Sequence, residues 1–408
     1  MNNKLLRGSL ITLVVLGLIY FLLRYAGCFH PETDGKVNIG EPIKSPVAVA
    51  FLDANPATQH KVIENLTITL IDPDGKVLSS SGTTFSEISV KTGLISLGLK
   101  TDTEVTEQKP YRFRLVAKAE GYVETIQTVI LQNEAPSYFP IYMVNEDAPP
   151  PGVSFGRRNL PLASGGVMAT DAEVVAPTVL GNIKLNFRKG TRLLSCGKSV
   201  EGNSPEVGIA TTHGDPANPN ANRVFPNGFT VTDAIDSLGQ IVASPSNTFD
   251  FVSAGWVDIN LQAGGQTVNG FSKPVEVEMP VSSQFINPAT GLPVVAGDRI
   301  PLWSLNFQDG IWTNERNIVV EQGANGLIAK FPITHLSTWN LDAKGPRCTD
   351  DIVISYTNSG CPANLYSRVV DGAGVVYSPT SAGAISNNVL PYSPGTGQFS
   401  VRNYPLVS

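Results

Sequence analysis

Four histidines, His30, His60, His213 and His335, bound the chemistry this 408-residue chain can carry. None forms His-Glu-x-x-His, His-x-x-Glu or a His/Cys cluster at the spacing that completes a zinc site. There is no Gly-x-Ser-x-Gly elbow to expose a nucleophilic serine, no P-loop to cradle phosphate and no dinucleotide fingerprint. Chemistry on other molecules therefore has no recognisable site, and no cofactor is implied. His30 stands near Glu32 and Asp34 in a polar, turn-rich segment that reads as spacer. Asp215, Asn218, Asn220 and Asn222, in GDPANPNANR, offer alternating side-chain oxygens of the kind Ca²⁺ takes, with a single carboxylate among them. A polar surface loop is the competing reading. Asp72 and Asp74, in Asp-Pro-Asp-Gly, divide in the same way between a Ca²⁺ site and a turn. One place remains where a reaction can be proposed, His335-Leu336-Ser337-Thr338.

The elements that must position these residues read as strands. Pro and Gly number 30 and 38, and no long helix-forming run follows the first 30 residues. Short Val-, Ile-, Thr- and Phe-rich runs bounded by Gly, Pro, Asn and Asp predict an all-β chain, arranged as tandem antiparallel β-sandwich domains after one N-terminal transmembrane or signal helix. The stretch from Gly297 to Asp342 predicts a β-meander. It holds Trp303, Trp312 and Trp339, with Trp256 shortly before, and aromatics this large mark where a β core is thickest. A formal charge of −6 without a basic cluster beyond the N-terminus argues against nucleic acid.

Lys4 and Arg7 precede the apolar run Gly8 to Leu23, and Arg24 closes it. A charged region followed by an apolar one predicts export. Three outcomes stand open: an uncleaved signal-anchor with its N-terminus inside, lipidation of Cys28, or cleavage and release. In the first two the chain is tethered to the cell envelope, facing the periplasm from the inner membrane or held in the outer membrane as a lipoprotein. Residues 29–44 form a spacer, 45–145 a first β domain, 146–179 a linker opening on Pro149-Pro150-Pro151, 180–344 a second β domain and 345–408 a small β unit. In the first domain the Asp72–Gly75 turn predicts a hairpin. In the last unit Cys348 and Cys361 predict a disulfide in an oxidising compartment. Cys196 is left over and reads as a buried thiol.

Several stretches resemble known families. Tyr25-Ala26-Gly27-Cys28 ends like a bacterial lipobox, with Arg24 and Tyr25 where that motif has small or aliphatic residues. LTITLIDPDGKVLSSS and YRFRLVAKAEGYVETIQTVIL, with the Ala119 to Tyr122 turn, resemble a carboxypeptidase-regulatory-like (transthyretin-like) β-sandwich. That resemblance implies a seven-stranded, non-catalytic accessory domain. Ser253 to Val257, Phe271 to Val275, Ile300 to Ser304, Gly310 to Trp312 and His335 to Asn340 resemble the second domain of exported bacterial proteins, many from Bacteroidetes, and more distantly cartilage intermediate layer protein ectodomains. It implies architecture more than activity.

His335-Leu336-Ser337 also resembles the self-cleaving tripeptide in the autoproteolysis domains of adhesion receptors. The resemblance implies His335 as base, Ser337 as nucleophile and Leu336–Ser337 as the bond cut, given a strained peptide and donors for the oxyanion. The paired cysteines of the receptor motif are missing here. The competing reading is a strand-end histidine bonded to its neighbours, with Trp339 filling the core. The sequence thus predicts a non-enzymatic, envelope-tethered surface protein for adhesion, display or assembly, with a protein or glycan partner at the cell surface. A self-processing surface protein and a carbohydrate- or peptide-binding module with exposed aromatics are the alternatives.

Overall fold

Leu66 and Ile68 are buried while Thr67 and Thr69 are half-buried, the period-two pattern of a strand with one face on a core. A computed structural model describes residues 41–345, apart from 107, 179, 201–205, 215–217, 245–246 and 264–265, and then strand segments 352–358, 365–366, 369–370, 376–377, 389–390 and 395–401. The described chain is all-β. Its helices there are one short 3₁₀ turn, Pro56–Thr58, and one five-residue α-helix, Pro219–Arg223. Among the described residues no helix is long and apolar enough to cross a membrane. The Gly8 to Leu23 run and Cys28 lie outside them, as do Cys348 and Cys361.

The first domain has eight strands: β1 (Ile43–Asp53), β2 (Leu66–Ile71), β3 (Val77–Ser79), β4 (Glu87–Val90), β5 (Leu94–Lys100), β6 (Tyr111–Lys118), β7 (Thr125–Leu131) and β8 (Ser137–Met143). They form two four-stranded sheets, ordered β3-β5-β1-β8 and β4-β2-β6-β7. All neighbours are antiparallel except β1 and β8. Val49 and Leu97 from one sheet and Ile68, Phe113 and Leu115 from the other share one core. The Asp72–Gly75 turn does not make the expected hairpin. It carries the chain from one sheet to the other, so β3 pairs with β5 and β2 pairs with β4 and β6. Asp72 fixes this corner: it accepts from the Val77 N–H at 2.7 Å and from the Tyr111 hydroxyl. The crossing adds the short β3 to a sheet that would otherwise have three strands, which gives eight where the resemblance implied seven.

Residues 146–179 are not a linker throughout. Val153–Ala163 is a strand that pairs antiparallel with Glu206–Gly214 along its length, and Ala172–Thr178 pairs with Gly181–Phe187. The apolar positions Val174 and Ala176 go into the second core, so the proline run ends the spacer instead of opening one. The strands of the second domain close on themselves through hydrogen bonds, without separating into two sheets. At their centre lies the fifteen-residue strand Phe249–Ala263, flanked by Glu206–Gly214 and Thr338–Gly345. Val257, Ile259 and Leu261 face one way, onto Val275, Val277, Phe331 and Trp339. The meander holds for three strands (Arg299–Leu305, Trp312–Gly323, Gly326–His335). The fourth, Thr338–Gly345, returns to pair with the first. Beyond 345, Ile352–Asn358 pairs with Gly395–Val401, and two shorter pairings, Leu365–Tyr366 with Val389–Leu390 and Val369–Val370 with Val376–Tyr377, nest inside it.

The opposite face of the central strand is covered by the first domain. Ala54, Val116, Ile126 and Val144 pack with Val224, Phe225, Phe251, Trp256, Trp303 and Trp312 in a third core that belongs to both domains. Arg114 on β6 pairs with the Asp233 carboxylate and donates to the Asp309 carbonyl at 3.1 Å. Asn227 donates its backbone N–H to the Ile126 carbonyl (2.8 Å) and its side-chain amide to the Gly310 carbonyl (3.0 Å). Gln127 donates to the Phe225 carbonyl at 2.9 Å. The two domains fall within one compact unit, consistent with a joint of this kind.

Candidate functional site

Strand Gly326–His335 ends at the histidine, and the chain turns through Leu336 and Ser337 into Thr338–Gly345. The Leu336 N–H donates to the Asn269 carbonyl at 3.1 Å. The buried Ser337 hydroxyl has the Leu305 carbonyl at 2.6 Å and the Thr338 carbonyl at 3.1 Å. The shorter contact pins the start of this strand to the end of Arg299–Leu305. His335 lies against Trp339, ring centroids 4.7 Å apart, with Nε2 4.0 Å from the Glu315 carboxylate. Glu315 in turn accepts from the Ser304 hydroxyl at 2.7 Å. Burial lowers the His335 pKa, and the Glu315 charge offsets part of that.

A base for Ser337 must sit within hydrogen-bond reach of its hydroxyl. Among the described residues no hydrogen bond joins His335 to Ser337, and none of residues 335 to 338 has a positive φ. The imidazole is turned toward Glu315 and the hydroxyl toward a carbonyl. This is the arrangement of a strand-end histidine and a serine used as a clasp.

Thr338 leads to a site that the sequence did not single out. Its hydroxyl donates to Asp258 Oδ1 at 2.8 Å. Asp258 lies on the outward face of the central strand, next to Trp256, and that face is closed by the first domain. Together with Val123, Glu124, Thr125, Tyr142, Val144, Val224, Pro226 and Trp256 it lines a cleft between the two domains, with a cavity of about 10 Å³. That is room for one water-sized species. Burial, and then the nearby Glu124 charge, push the Asp258 carboxyl up to about 6, against the pull of the Thr338 bond. Burial likewise raises Glu124, with Lys118 opposing. Thr125 Oγ1 and Trp256 Nε1 are buried without a hydrogen-bond partner. Two carboxylates from different domains thus face one small space that also holds two unpartnered polar atoms.

A readable signal for Asp258 existed in its alternation. Val257, Ile259 and Leu261 take the core phase, so Asp258 falls in the phase usually given to solvent. The first domain helps to close that face, and sequence periodicity carries no information on the contact. Glu124 follows the Ala119 to Tyr122 turn and reads as an ordinary surface residue for the same reason.

The other candidates separate. Asp215 lies outside the described residues. Asn218 caps the Pro219–Arg223 helix, its side chain accepting from the Asn220 N–H at 3.0 Å, and Asn222 is buried beyond it. Among the described residues no group of three or more His, Cys, Asp or Glu side chains is gathered as for a metal. Cys196 is exposed, not buried: it sits at the tip between Leu193–Ser195 and Lys198–Ser199, at φ +48°, with Gly197 completing the turn. All four tryptophans are buried. No family model matches the chain, and no curated protein does.

Proposed function

We propose that the chain is a non-enzymatic, exported surface protein, tethered to the cell envelope by its N-terminal segment and serving adhesion, display or assembly through a β-sandwich domain followed by a second, closed β domain. The first of these is a carboxypeptidase-regulatory-like module, followed by a domain of the exported Bacteroidetes type. The tether is either a signal-anchor in the inner membrane, facing the periplasm, or a lipid on Cys28, and the partner is a protein or glycan. The observation that carries the reading is the joint. Two domains that share a core and are joined by a largely buried Arg114 paired with the partly exposed Asp233 behave as a stiff unit, which suits holding a surface at a distance from a membrane. The structural use of Ser337 and His335 favours an uncut chain, and burial of all four tryptophans weighs against a groove of exposed indoles.

The test is to express the full chain in a bacterial host, fractionate it, and weigh it under denaturing conditions. The expected result is one uncut chain in the membrane fraction, open to protease from the periplasmic side in spheroplasts. Recovery in the cytosolic fraction overturns the tether. Two chains meeting at Leu336/Ser337, restored to one by Ser337→Ala, overturn the uncut reading in favour of self-processing.

A further inference from the structure

We propose that the cleft between the two β domains is a binding site for a primary ammonium group, held by Asp258, Glu124 and Thr125.

Three observations converge on it. The first is charge. Asp258 comes from the second domain and Glu124 from the first, and both line the cleft. Above about pH 6 Asp258 is ionised in a buried position, where, among the described residues, Thr338 donates to its Oδ1. A buried carboxylate so placed is costly unless a cation or further donors reach it. Among the described residues the cation that bears on this pair is Lys118, and it acts on Glu124. The second is the unpartnered hydroxyl. Thr125 is 5% exposed and its Oγ1 has no partner, so an acceptor waits beside the two carboxylates. The third is size. The cavity of about 10 Å³ takes a group no larger than water, and an –NH₃⁺ head is of that size.

An ammonium carries three donors and no acceptor. The cleft offers three acceptors of its own: the free oxygen of Asp258, the Glu124 carboxylate and Thr125 Oγ1. Trp256 Nε1 is a further buried polar atom without a partner, and as a donor it does not compete with the guest for these acceptors. A divalent metal fits less well. It asks for six or more oxygens with several carboxylates, and here one oxygen of Asp258 is already taken by Thr338. Because the two carboxylates belong to different domains, an ammonium between them also fastens the joint.

The experiment uses the full chain in detergent at pH 7.5 and constant ionic strength. Its thermal midpoint is measured in methylammonium chloride, in Nα-acetyl-lysine-N-methylamide, in potassium chloride and in tetramethylammonium chloride. Ligands that bind only the folded state raise the midpoint in proportion to occupancy. The expected result is a saturable rise of a few degrees with the two primary ammonium probes and none beyond the salt baseline with the other two. Asp258→Asn abolishes the rise, and Glu124→Gln reduces it. A larger rise with the lysine amide than with methylammonium assigns the group to a peptide side chain, and the reverse assigns it to a free amine. An equal response to methylammonium and potassium, or no response, leaves the cleft to water and overturns the proposal. If Asp258→Asn does not fold, Glu124→Gln decides: an unchanged rise in that variant overturns it too.

Discussion

The first-domain core and the joint are built from different materials. The first core is aliphatic, with Phe51, Phe113 and Tyr111 as its aromatics and no tryptophan. The joint gathers Trp256, Trp303 and Trp312 around Phe225 and Phe251. Phe225 stacks on Phe229 at 4.3 Å and on Trp312 at 5.8 Å, and Phe251 meets Trp312 edge-on at 5.1 Å. Buried polar groups accompany it: Thr338, Asn340 and Asp342 take the joint-facing phase of the strand whose other phase sends Trp339 and Leu341 into the second core. An aliphatic core gains from area alone and forgives exchange of one apolar group for another. A joint made of aromatic contacts and buried polar groups is specific to one arrangement and responds to protonation.

The largest break in this comparison is Trp312→Ala. Emptying a fully buried indole costs about 3–5 kcal/mol, and because the hole opens in the core that both domains share, the single unfolding transition expected of the parent splits in two. Leu97→Ala, in the first core, costs about 2–5 kcal/mol and leaves one transition at a lower midpoint. Calorimetry of the two variants separates local loss from uncoupling. If Leu97→Ala splits the transition and Trp312→Ala does not, the joint is not what couples the domains.

Next in size is the pH profile. The Asp258 carboxyl goes from an ordinary 3.8 to about 6 on folding. A group whose folded pKa is raised favours folding fully below its unfolded value, and that advantage is lost as pH climbs through the folded value. Between about pH 4 and pH 7 the chain therefore loses about 3 kcal/mol through this one buried residue. Asp342, pushed well above the carboxylate range by burial against the pull of Ser253 and Asn340, acts in the same direction. His335, lowered by burial, acts in the opposite direction as pH approaches 6.5. Denaturant midpoints across this range check the slope: Asp258→Asn flattens it and is more stable than the parent at pH 8. The first core has no comparable group, so a variant that leaves the slope intact places the titration elsewhere.

A smaller effect comes from Arg114→Ala. The guanidinium is nearly buried while Asp233 is about a third exposed, so water replaces part of what is lost. The cost is about 2 kcal/mol, felt at the joint. Gly310→Ala reaches the same place by another route. Its backbone has φ +69°, and a Cβ there collides with Arg114 Cδ, which displaces the guanidinium. Both variants bring the domains toward independent melting.

How much of this was written in the sequence depends on whether one strand or two domains decide the outcome. Thr67 to Ile71 and Val257 to Leu261 alternate because one face of each strand lies on the core of its own domain, and their strands are where the pattern puts them. The tryptophans mark thick core, as their size implies, but they divide between two cores by strand phase: Trp339 to one, Trp256, Trp303 and Trp312 to the other. Pro149 to Pro151 looked like the start of a long linker because proline breaks pattern. The strand that begins at Val153 is held by its partner Glu206–Gly214, distant in the chain, a pairing that local composition does not encode. The Asp72–Gly75 turn has hairpin chemistry, and the burial of Val77 and Leu78 in the opposite layer overrides it. Asp258 and Glu124 are out of reach for the same reason, since the cleft they line forms where the two domains meet.

The smallest effect sharpens the site itself. Ser337→Ala removes a hydroxyl whose short bond to the Leu305 carbonyl ties two strands of the second domain at the edge of the joint. A buried neutral hydrogen bond of this kind contributes about 1 kcal/mol. The carbonyl it leaves is not replaced by water in so closed a place, so the loss is felt in the midpoint. The variant also lies one residue from Thr338, the group that holds Asp258 Oδ1. If Ser337 is only a clasp, the midpoint falls slightly, the mass of the chain is unchanged and the pH slope keeps its shape. A flattened slope shows instead that Ser337 sets the Thr338 rotamer, and that the tripeptide serves the cleft through position and not through chemistry.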